Sequence, residues 1–249
     1  MTNYLTTFGE NIISAWKESV LIENQTAAYI TGLTHRIKYP NRKNDSEKSP
    51  VLVLLHGRHG NEDVPWIFAR NIPENWLIIS PRAIEFEPES SEHETGYSWI
   101  EMPESGWPSI DQFDGAIQAL SDFIIALPDV YDTDPDNVVI LGFSQGAATA
   151  LATAIQYPKI CRGIASLVGF APSLNIDTPQ DAGLPLDGVS VFMAVGDRDE
   201  RIPIEISMQS RDTLLAAGAN LSWELYQTGH KLNSQGMRDL TAWLSKMME

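Results

Sequence analysis

Residues 138–154 read Val-Val-Ile-Leu-Gly-Phe-Ser-Gln-Gly-Ala-Ala-Thr-Ala-Leu-Ala-Thr-Ala, and this stretch decides the fold class of the chain. Its first part, Val138 to Leu141, is a short branched apolar run of the kind found in buried strands. Its last part, Ala147 to Ala154, consists of small residues suited to a helix packed tightly on a sheet. Between them lies Gly142-Phe143-Ser144-Gln145-Gly146, a G-x-S-x-G sequence. The stretch therefore predicts a strand, a sharp turn that carries Ser144, and a helix.

This order of elements has a chemical meaning. Glycines on both sides of the serine remove the Cβ atoms that would collide in so sharp a turn. The helix that follows directs its free N–H groups and positive dipole end at an oxygen that becomes charged. The alternative is a glycine-rich turn with an idle serine, since the bare pattern also occurs by chance. Its place between strand and helix favours Ser144 as a covalent nucleophile.

From residue 51 onward, short apolar runs alternate with segments of helical period. Five runs are branched and nearly unbroken, as in strands that are buried on both faces. They cover residues 51–55, 76–79, 138–141, 164–168 and 189–195. The alternating run 221–226 predicts a last strand near a sheet edge. We therefore expect an α/β fold with a mostly parallel central sheet and helices on both faces.

Three further segments predict helices. Ser109 to Leu127 has apolar residues spaced by three and four, and Ser109 with Gln112 forms a capping box at its start. Residues 203–217 begin with a proline at a first helical position and end before a glycine. Apolar residues from Met237 to Met247 give the final helix its buried stripe.

The remaining organisation is less regular. A chain of 249 residues fits one large α/β domain, so residues 1–249 are expected to form a single domain. Within the N-terminal extension 1–48, residues 27–31 and 36–39 are expected as edge strands of an antiparallel start to the same sheet. The polar run 41–50 predicts a loop.

Two later segments also predict loops. The densest acidic segment, Glu85 to Glu104, is expected to be a solvated loop, and a part in substrate access is the alternative. The segment Ser173 to Gly188 is rich in Pro, Gly and Asp and is expected to be a loop as well.

The composition excludes several classes of partner. The formal charge is −16, from 17 basic and 33 acidic residues, which disfavours nucleic acid and anionic membrane surfaces. No apolar run is long enough for a membrane span, so no integral membrane association is expected. The single cysteine, Cys161, cannot form an internal disulfide, and Met1 to Glu10 lacks the features of a secretory signal. A cytoplasmic location is therefore expected, and a homodimer is compatible with the sequence.

A serine nucleophile needs a histidine base and an orienting carboxylate. The five histidines are residues 35, 56, 59, 93 and 230, and His230 alone follows Ser144. It lies between the last predicted strand and the last helix, where the base of such a fold is expected. For the acid, Asp197, Asp199 and Glu200 all follow the strand 189–195, and spacing alone does not separate them. The remoter candidates are Asp177 and Asp181.

The oxyanion hole needs two backbone donors. One is the N–H of Gln145, which follows the nucleophile, and the other is expected in the loop after an early strand. Val51 to Leu55 leads directly into the loop His56-Gly57-Arg58-His59-Gly60. His56, His59 and Glu62 could instead be read as metal ligands, but the glycines suit a loop of backbone donors better. We therefore expect no metal ion at this loop.

These motifs together resemble the carboxylesterase/phospholipase family of small α/β-hydrolases, which includes the acyl-protein thioesterases. The resemblance covers the chain from about residue 50 to its C-terminus. Its components are Leu54-Leu55-His56-Gly57, Gly60-Asn61-Glu62, Pro81-Arg82-Ala83, Gly96-Tyr97-Ser98-Trp99, Asp134-Pro135-Asp136, Gly142-Phe143-Ser144-Gln145-Gly146-Ala147, Gly196 to Pro203 and Gly229-His230. The GFSQG form and the ordered set are much more specific than a bare G-x-S-x-G.

The resemblance carries expectations beyond the residues themselves. By position it implies that Asp199 is the acid and that the N–H of Arg58 is the second oxyanion donor. It implies hydrolysis of carboxylic esters, in some members thioesters or lysophospholipids, without a cofactor. His59 and Trp99 are the candidates for the substrate pocket. Arg58 and His59 depart from the family's small or apolar residues. A solvent-facing arginine is the first interpretation, and a cation that favours a substrate with a carboxylate or phosphate is the alternative.

Two alternatives to the ester hydrolase are kept. One is a peptidase or amidase on the same scaffold. The other is a non-catalytic binding protein of this fold, which would be expected to lack at least one member of the triad.

Overall fold

The central sheet has the predicted architecture. The computed structural model describes residues 21–22, 30–41, 48–70, 72–89, 95–173 and 183–247. The strands in these ranges are β1 (Leu21–Ile22), β2 (His35–Lys38), β3 (Ser49–Leu55), β4 (Leu77–Pro81), β5 (Glu85–Glu87), β6 (Gly96–Ser98), β7 (Thr133–Phe143), β8 (Gly163–Leu167), β9 (Ser190–Gly196) and β10 (Asn220–Tyr226). Eight of these described strands form one sheet in the order β1-β2-β4-β3-β7-β8-β9-β10. Neighbours from β4 to β10 are parallel, whereas β2 pairs antiparallel with both β1 and β4.

The α-helices cover both faces of this sheet. They are α1 (Asp114–Tyr131), α2 (Gln145–Gln156), α3 (Ile204–Ala216) and α4 (Ser234–Met247). Alternate residues of β3 point to opposite faces. Val51, Val53 and Leu55 pack in one core with residues of α1, α2 and α3, while Leu52 and Leu54 pack in a second core with α4. All five side chains are fully buried, which is why the apolar run is unbroken.

The first long helix differs from its prediction at both ends. The capping box of Ser109 and Gln112 is present, but the first turn, Ile110–Phe113, is a 3-10 helix. At the other end the helix continues through Pro128 to Tyr131. A proline in the last turn removes only one hydrogen bond. The Tyr131 hydroxyl lies 2.6 Å from Nε2 of buried His35, and this tertiary contact anchors the extra turn.

The N-terminal extension is partly as expected. The strand predicted over 36–39 is confirmed as β2, one residue earlier. The strand predicted over 27–31 is wrong where it is described, because Ile30 and Thr31 are helical and Gly32, at φ 80°, follows them. Residues 27–29 lie outside the described part. The assignment of the whole chain to one domain stays a prediction.

The acidic segment is not the open loop that its composition predicts. Strands β5 and β6 pair as an antiparallel hairpin, with Phe86 and Tyr97 in edge-to-face contact across it. Residues 183–184 are irregular and residues 185–188 form a turn, as expected for this part of the segment 173–188. Asp177 and Asp181 lie outside the described residues. No helix in the described part of the chain has the length and apolar character that crossing a lipid bilayer requires.

Candidate active site

Ser144 stands on a strained turn between β7 and α2. Its backbone has φ 53° and ψ −117°, which is unusual for a residue with a side chain. A Cβ atom at Gly142 would lie 2.5 Å from the backbone of Ala147, and one at Gly146 would lie 2.4 Å from the carbonyl oxygen of His56. Only glycine fits at these two positions. The spacing of the motif is thus a requirement of the turn.

Ser144, His230 and Asp199 form one hydrogen-bonded series. The Oγ atom of Ser144 lies 2.9 Å from Nε2 of His230, and Nδ1 of His230 lies 2.8 Å from Oδ2 of Asp199. The second carboxylate oxygen of Asp199 accepts the backbone N–H groups of Arg201 and Ile202, at 2.9 and 3.0 Å. These donors orient the carboxylate toward the imidazole. The three side chains come from the ends of β7 and β9 and from the loop after β10.

The structure separates the carboxylates that spacing could not. Asp197 accepts the backbone N–H of Thr228 at 3.0 Å, which ties the end of β9 to the loop before His230. Glu200 is exposed. The side chain of Asp199 is only 2% exposed and contacts His230 directly. Among the described carboxylates that follow β9, Asp199 is therefore the one placed to orient the histidine.

The loop after β3 lies beside the serine. A Cβ atom at Gly57 would lie 3.4 Å from Cβ of Ser144, so the backbone that leads into Arg58 passes next to this serine. On the other side, Gln145 is the first residue of α2, and its N–H has no acceptor within the helix. Both N–H groups predicted as oxyanion donors thus belong to backbone beside Ser144. The Arg58 guanidinium extends to Glu87, 3.5 Å away in the hairpin.

His56 stabilises this loop from inside the protein. It is fully buried, and burial lowers its pKa to about 4, so the ring is neutral at pH 7. Its Nε2 accepts the N–H of Ala83 at 3.0 Å, which leaves Nδ1–H to donate to the carbonyl of Gly57 at 2.7 Å. With both ring nitrogens engaged, His56 is not available as a metal ligand.

Glu62, the third residue considered as a metal ligand, is paired with an arginine. Its carboxylate forms a bidentate ion pair with Arg82 at 2.6 and 2.5 Å. Within the described ranges, no group of three or more His, Cys, Asp or Glu side chains is arranged to hold a metal ion. The reading of His56, His59 and Glu62 as a metal site therefore finds no support in the geometry.

The two candidates for the substrate pocket differ in position. His59 is partly exposed at φ 58°, and its N–H lies 3.4 Å from Oγ of Ser98. Trp99 is 0% exposed, and its indole N–H donates to the carbonyl of His56 at 2.9 Å. Its prediction as a pocket residue needs correction, because a side chain with no exposed surface has none with which to contact a substrate.

The structure contains two aromatic pairs that the motifs did not reveal. Phe143 packs edge-on against the His230 imidazole at 5.3 Å and stacks on Phe68 at 5.9 Å. Near the end of β8, Phe170 and Trp107 are in edge-to-face contact at 4.9 Å. Sequence could have indicated Phe143, because it is the neighbour of Ser144. The approach of the other three rings depends on tertiary structure.

The chain is similar in sequence to known proteins. The model of the phospholipase/carboxylesterase family matches residues 41–248. A probable carboxylesterase, SOBER1-like, of Arabidopsis thaliana is 25% identical over 222 residues, which are 84% of this chain and 82% of that protein. Acyl-protein thioesterase 1 of Candida albicans is 24% identical over 223 residues, 83% of this chain and 95% of the relative.

Solved structures agree in fold. The Bacillus cereus carboxylesterase superposes with a TM-score of 0.72 at 23% identity, over 89% of this chain and 99% of that one. Acyl-protein thioesterase 2 of Zea mays gives a TM-score of 0.67 at 19% identity, over 86% of this chain and 99% of its own. The fold and the resemblance expected from the motifs are both confirmed. The chain belongs to the phospholipase/carboxylesterase family and has the α/β-hydrolase fold.

Proposed function

We propose that this protein is a serine hydrolase that cleaves carboxylic esters through an acyl-enzyme on Ser144. The observation that carries the proposal is the hydrogen-bonded series from Ser144 through His230 to Asp199. A serine hydroxyl becomes a competent nucleophile when a neutral imidazole accepts its proton and a carboxylate holds that imidazole in one tautomer. Each of these contacts is within hydrogen-bonding distance.

The first step forms the acyl-enzyme. Ser144 Oγ attacks the ester carbonyl while His230 Nε2 takes the hydroxyl proton, and Asp199 stabilises the resulting imidazolium. When the tetrahedral intermediate collapses, the same proton passes from Nε2 to the leaving alkoxide, which departs as the alcohol. In the second step water gives a proton to Nε2 and attacks the acyl carbon. Collapse then returns the proton to Ser144 and releases the carboxylic acid.

The charge that develops on the carbonyl oxygen needs donors. In this proposal they are the N–H groups of Gln145 and Arg58, which lie on backbone beside Ser144. Such a donor typically contributes about 3 kcal/mol to transition-state stabilisation. Neither step requires a metal or an organic cofactor.

The surroundings of Ser144 favour an ester with apolar parts. The ring of Phe143, which packs against His230, and the ring of Phe68 stacked on it are both partly exposed and offer apolar contacts. The relatives named acyl-protein thioesterase extend the proposal to thioesters. A peptidase or amidase would need strong stabilisation of an amine leaving group, and no described contact favours it.

The cytoplasmic location, the absence of nucleic-acid partners and the homodimer stay predictions.

A rate series with p-nitrophenyl esters of increasing acyl length tests this function. We expect the wild type to hydrolyse at least the short esters and Ser144→Ala to fall to the background rate. A sharp decline beyond short acyl groups would indicate a closed pocket and exclude a lipid-directed role. No hydrolysis at any length would instead favour a non-catalytic binding protein.

A further inference from the structure

The polar side chain of Gln145 is buried, so its amide cannot form hydrogen bonds with solvent. It is 2% exposed, and both ends of its amide are engaged. Its Oε1 accepts the backbone N–H of Trp99 at 2.8 Å, and its Nε2 donates to the carbonyl of Ile100 at 2.9 Å. A residue in the first turn of α2 thereby holds the segment that follows the β5–β6 hairpin.

That segment in turn holds the loop after β3. The indole N–H of Trp99 donates to the carbonyl of His56 at 2.9 Å, and Tyr97 N–H donates to the carbonyl of Gly60 at 2.8 Å. The approach is so close that a Cβ atom at Gly96 would lie 2.2 Å from the carbonyl oxygen of His59. The loop is thus gripped at both ends by the strand and the tryptophan.

We propose that Gln145 is a positioning residue which, through Trp99, fixes the loop that carries the second oxyanion donor. The proposal rests on the function proposed above. In it, the backbone N–H of Gln145 serves as the first donor, and its side chain sets the place of the second, the N–H of Arg58. We call the Gln145 side chain, Trp99 and the His56 carbonyl the Gln145 clamp.

The loop needs such support because of its composition. It contains Gly57 and Gly60, and His59 has a positive φ of 58°, so its local sequence does not enforce one conformation. Oxyanion donors act at 2.7–3.1 Å, and a displacement of about 1 Å can lower a rate by about 100-fold. Because the amide of Gln145 and the indole are buried, their bonds are not readily exchanged for water. The clamp therefore preorganises the donor.

The clamp makes a prediction that separates positioning from stability. Gln145→Met keeps the backbone N–H donor and the side-chain length but removes both hydrogen bonds of the side-chain amide. Trp99→Phe keeps an aromatic ring but removes the indole N–H. We expect each variant to lower kcat by roughly 10- to 100-fold with KM changed by less than about threefold. The affinity for a trifluoromethyl ketone, which forms a tetrahedral oxyanion on the serine, should fall in parallel with kcat/KM.

A matched control measures the effect of lost stability alone. Trp66→Phe removes an indole N–H that donates to the carbonyl of Glu62 at 2.9 Å, again from a buried tryptophan, but outside the clamp. Its Tm should fall about as much as that of Trp99→Phe, while kcat stays within about twofold. The double variant of Gln145→Met and Trp99→Phe should lose less than the product of the single losses, because both act through one series of bonds.

The outcomes separate the clamp from the function on which it rests. Wild-type kcat in Trp99→Phe and Gln145→Met, with activity still lost in Ser144→Ala, would overturn the clamp alone. An equal loss of kcat in Trp66→Phe would also overturn it, because stability would then explain the effect. If Gln145→Met does not fold, Trp99→Phe decides the matter. A wild type without esterase activity would overturn the proposed function and the clamp together.

Discussion

Replacing Asp199 by asparagine should abolish most of the activity, although it only exchanges one carboxylate oxygen for an NH2 group of nearly the same size. Oδ1 of Asp199 accepts two backbone N–H groups, from Arg201 and Ile202. These donors fix the oxygen of an asparagine amide at the same place, so its NH2 group must occupy the position of Oδ2, 2.8 Å from His230 Nδ1. An NH2 group there donates, and Nδ1 can then only accept.

The consequence is the wrong tautomer of His230. If Nδ1 accepts, the proton of the neutral ring moves to Nε2, which lies 2.9 Å from Ser144 Oγ and can no longer take its proton. The alternative amide orientation would direct NH2 at two N–H donors in a buried site and is disfavoured by a few kcal/mol. For the corresponding change in a serine protease, kcat falls by about 10⁴. We expect a loss of similar size, about 5 kcal/mol in activation free energy.

The assay compares kcat/KM for a p-nitrophenyl ester in Asp199→Asn and in the matched control Asp197→Asn. Asp197 keeps its acceptor oxygen for the Thr228 N–H when it becomes asparagine, and its described side-chain partners are Thr228 and Arg198. The control should stay within about threefold of the wild type, since only an exposed charge is lost. Equal losses in both variants, or a loss below tenfold in Asp199→Asn, would refute the reasoning.

Three further predictions concern the loop after β3 and its surroundings. Gly146→Ala places a Cβ atom against the backbone carbonyls of Leu55 and His56, so the free energy of unfolding in urea should fall by about 1–3 kcal/mol, and an unchanged value would contradict the geometry. Burial lowers the pKa of His56 from 6.5 to about 4, so between these pH values the unfolded chain binds a proton that the folded chain does not. The free energy of unfolding should therefore fall as the pH is lowered from 6.5 to about 4. In urea titrations, the fall should be about 3 kcal/mol larger in the wild type than in His56→Gln. Arg58→Gln keeps the backbone donor and breaks an exposed ion pair with Glu87, so neutral and anionic esters should both be hydrolysed within about threefold of the wild-type rate; a tenfold loss on anionic esters alone would show a charge preference.

The parts of the fold that sequence predicted are those that local chemistry dictates. The strand before Ser144 is an unbroken branched run because both faces of β7 are covered, and the two glycines are required by contacts below 3 Å. His230 follows from chain order, since it is the one histidine after the serine. These features need no knowledge of distant residues.

The spacing of residues in the sequence could not show which carboxylate orients His230. Asp197 and Asp199 both follow β9, and the direction of each carboxylate depends on how the turn 196–203 folds back on itself. Two backbone N–H groups donate to Asp199 and orient it toward His230, whereas the N–H of Thr228 donates to Asp197. The family resemblance pointed to Asp199, and the geometry places it against His230.

The β5–β6 hairpin and the contacts of the Gln145 clamp could not be predicted from the sequence for a related reason. The acidic residues around β5 and β6 indicate exposure, but they do not reveal that the hairpin packs against the loop after β3. Trp99 was expected in the pocket because motifs place residues near a site without giving their depth. Its burial, and the two bonds of the Gln145 side chain, arise only when three separate segments meet.

The central claim is that Ser144 is the covalent nucleophile, and labelling with a fluorophosphonate probe tests it most directly. The probe forms a stable phosphonyl ester only with an activated serine, whatever the physiological substrate. We expect stoichiometric labelling of the wild type, an adduct on the peptide that contains Ser144 by mass spectrometry, and no labelling of Ser144→Ala. Persistent labelling of Ser144→Ala, or an adduct on another residue of the wild type, would contradict the account.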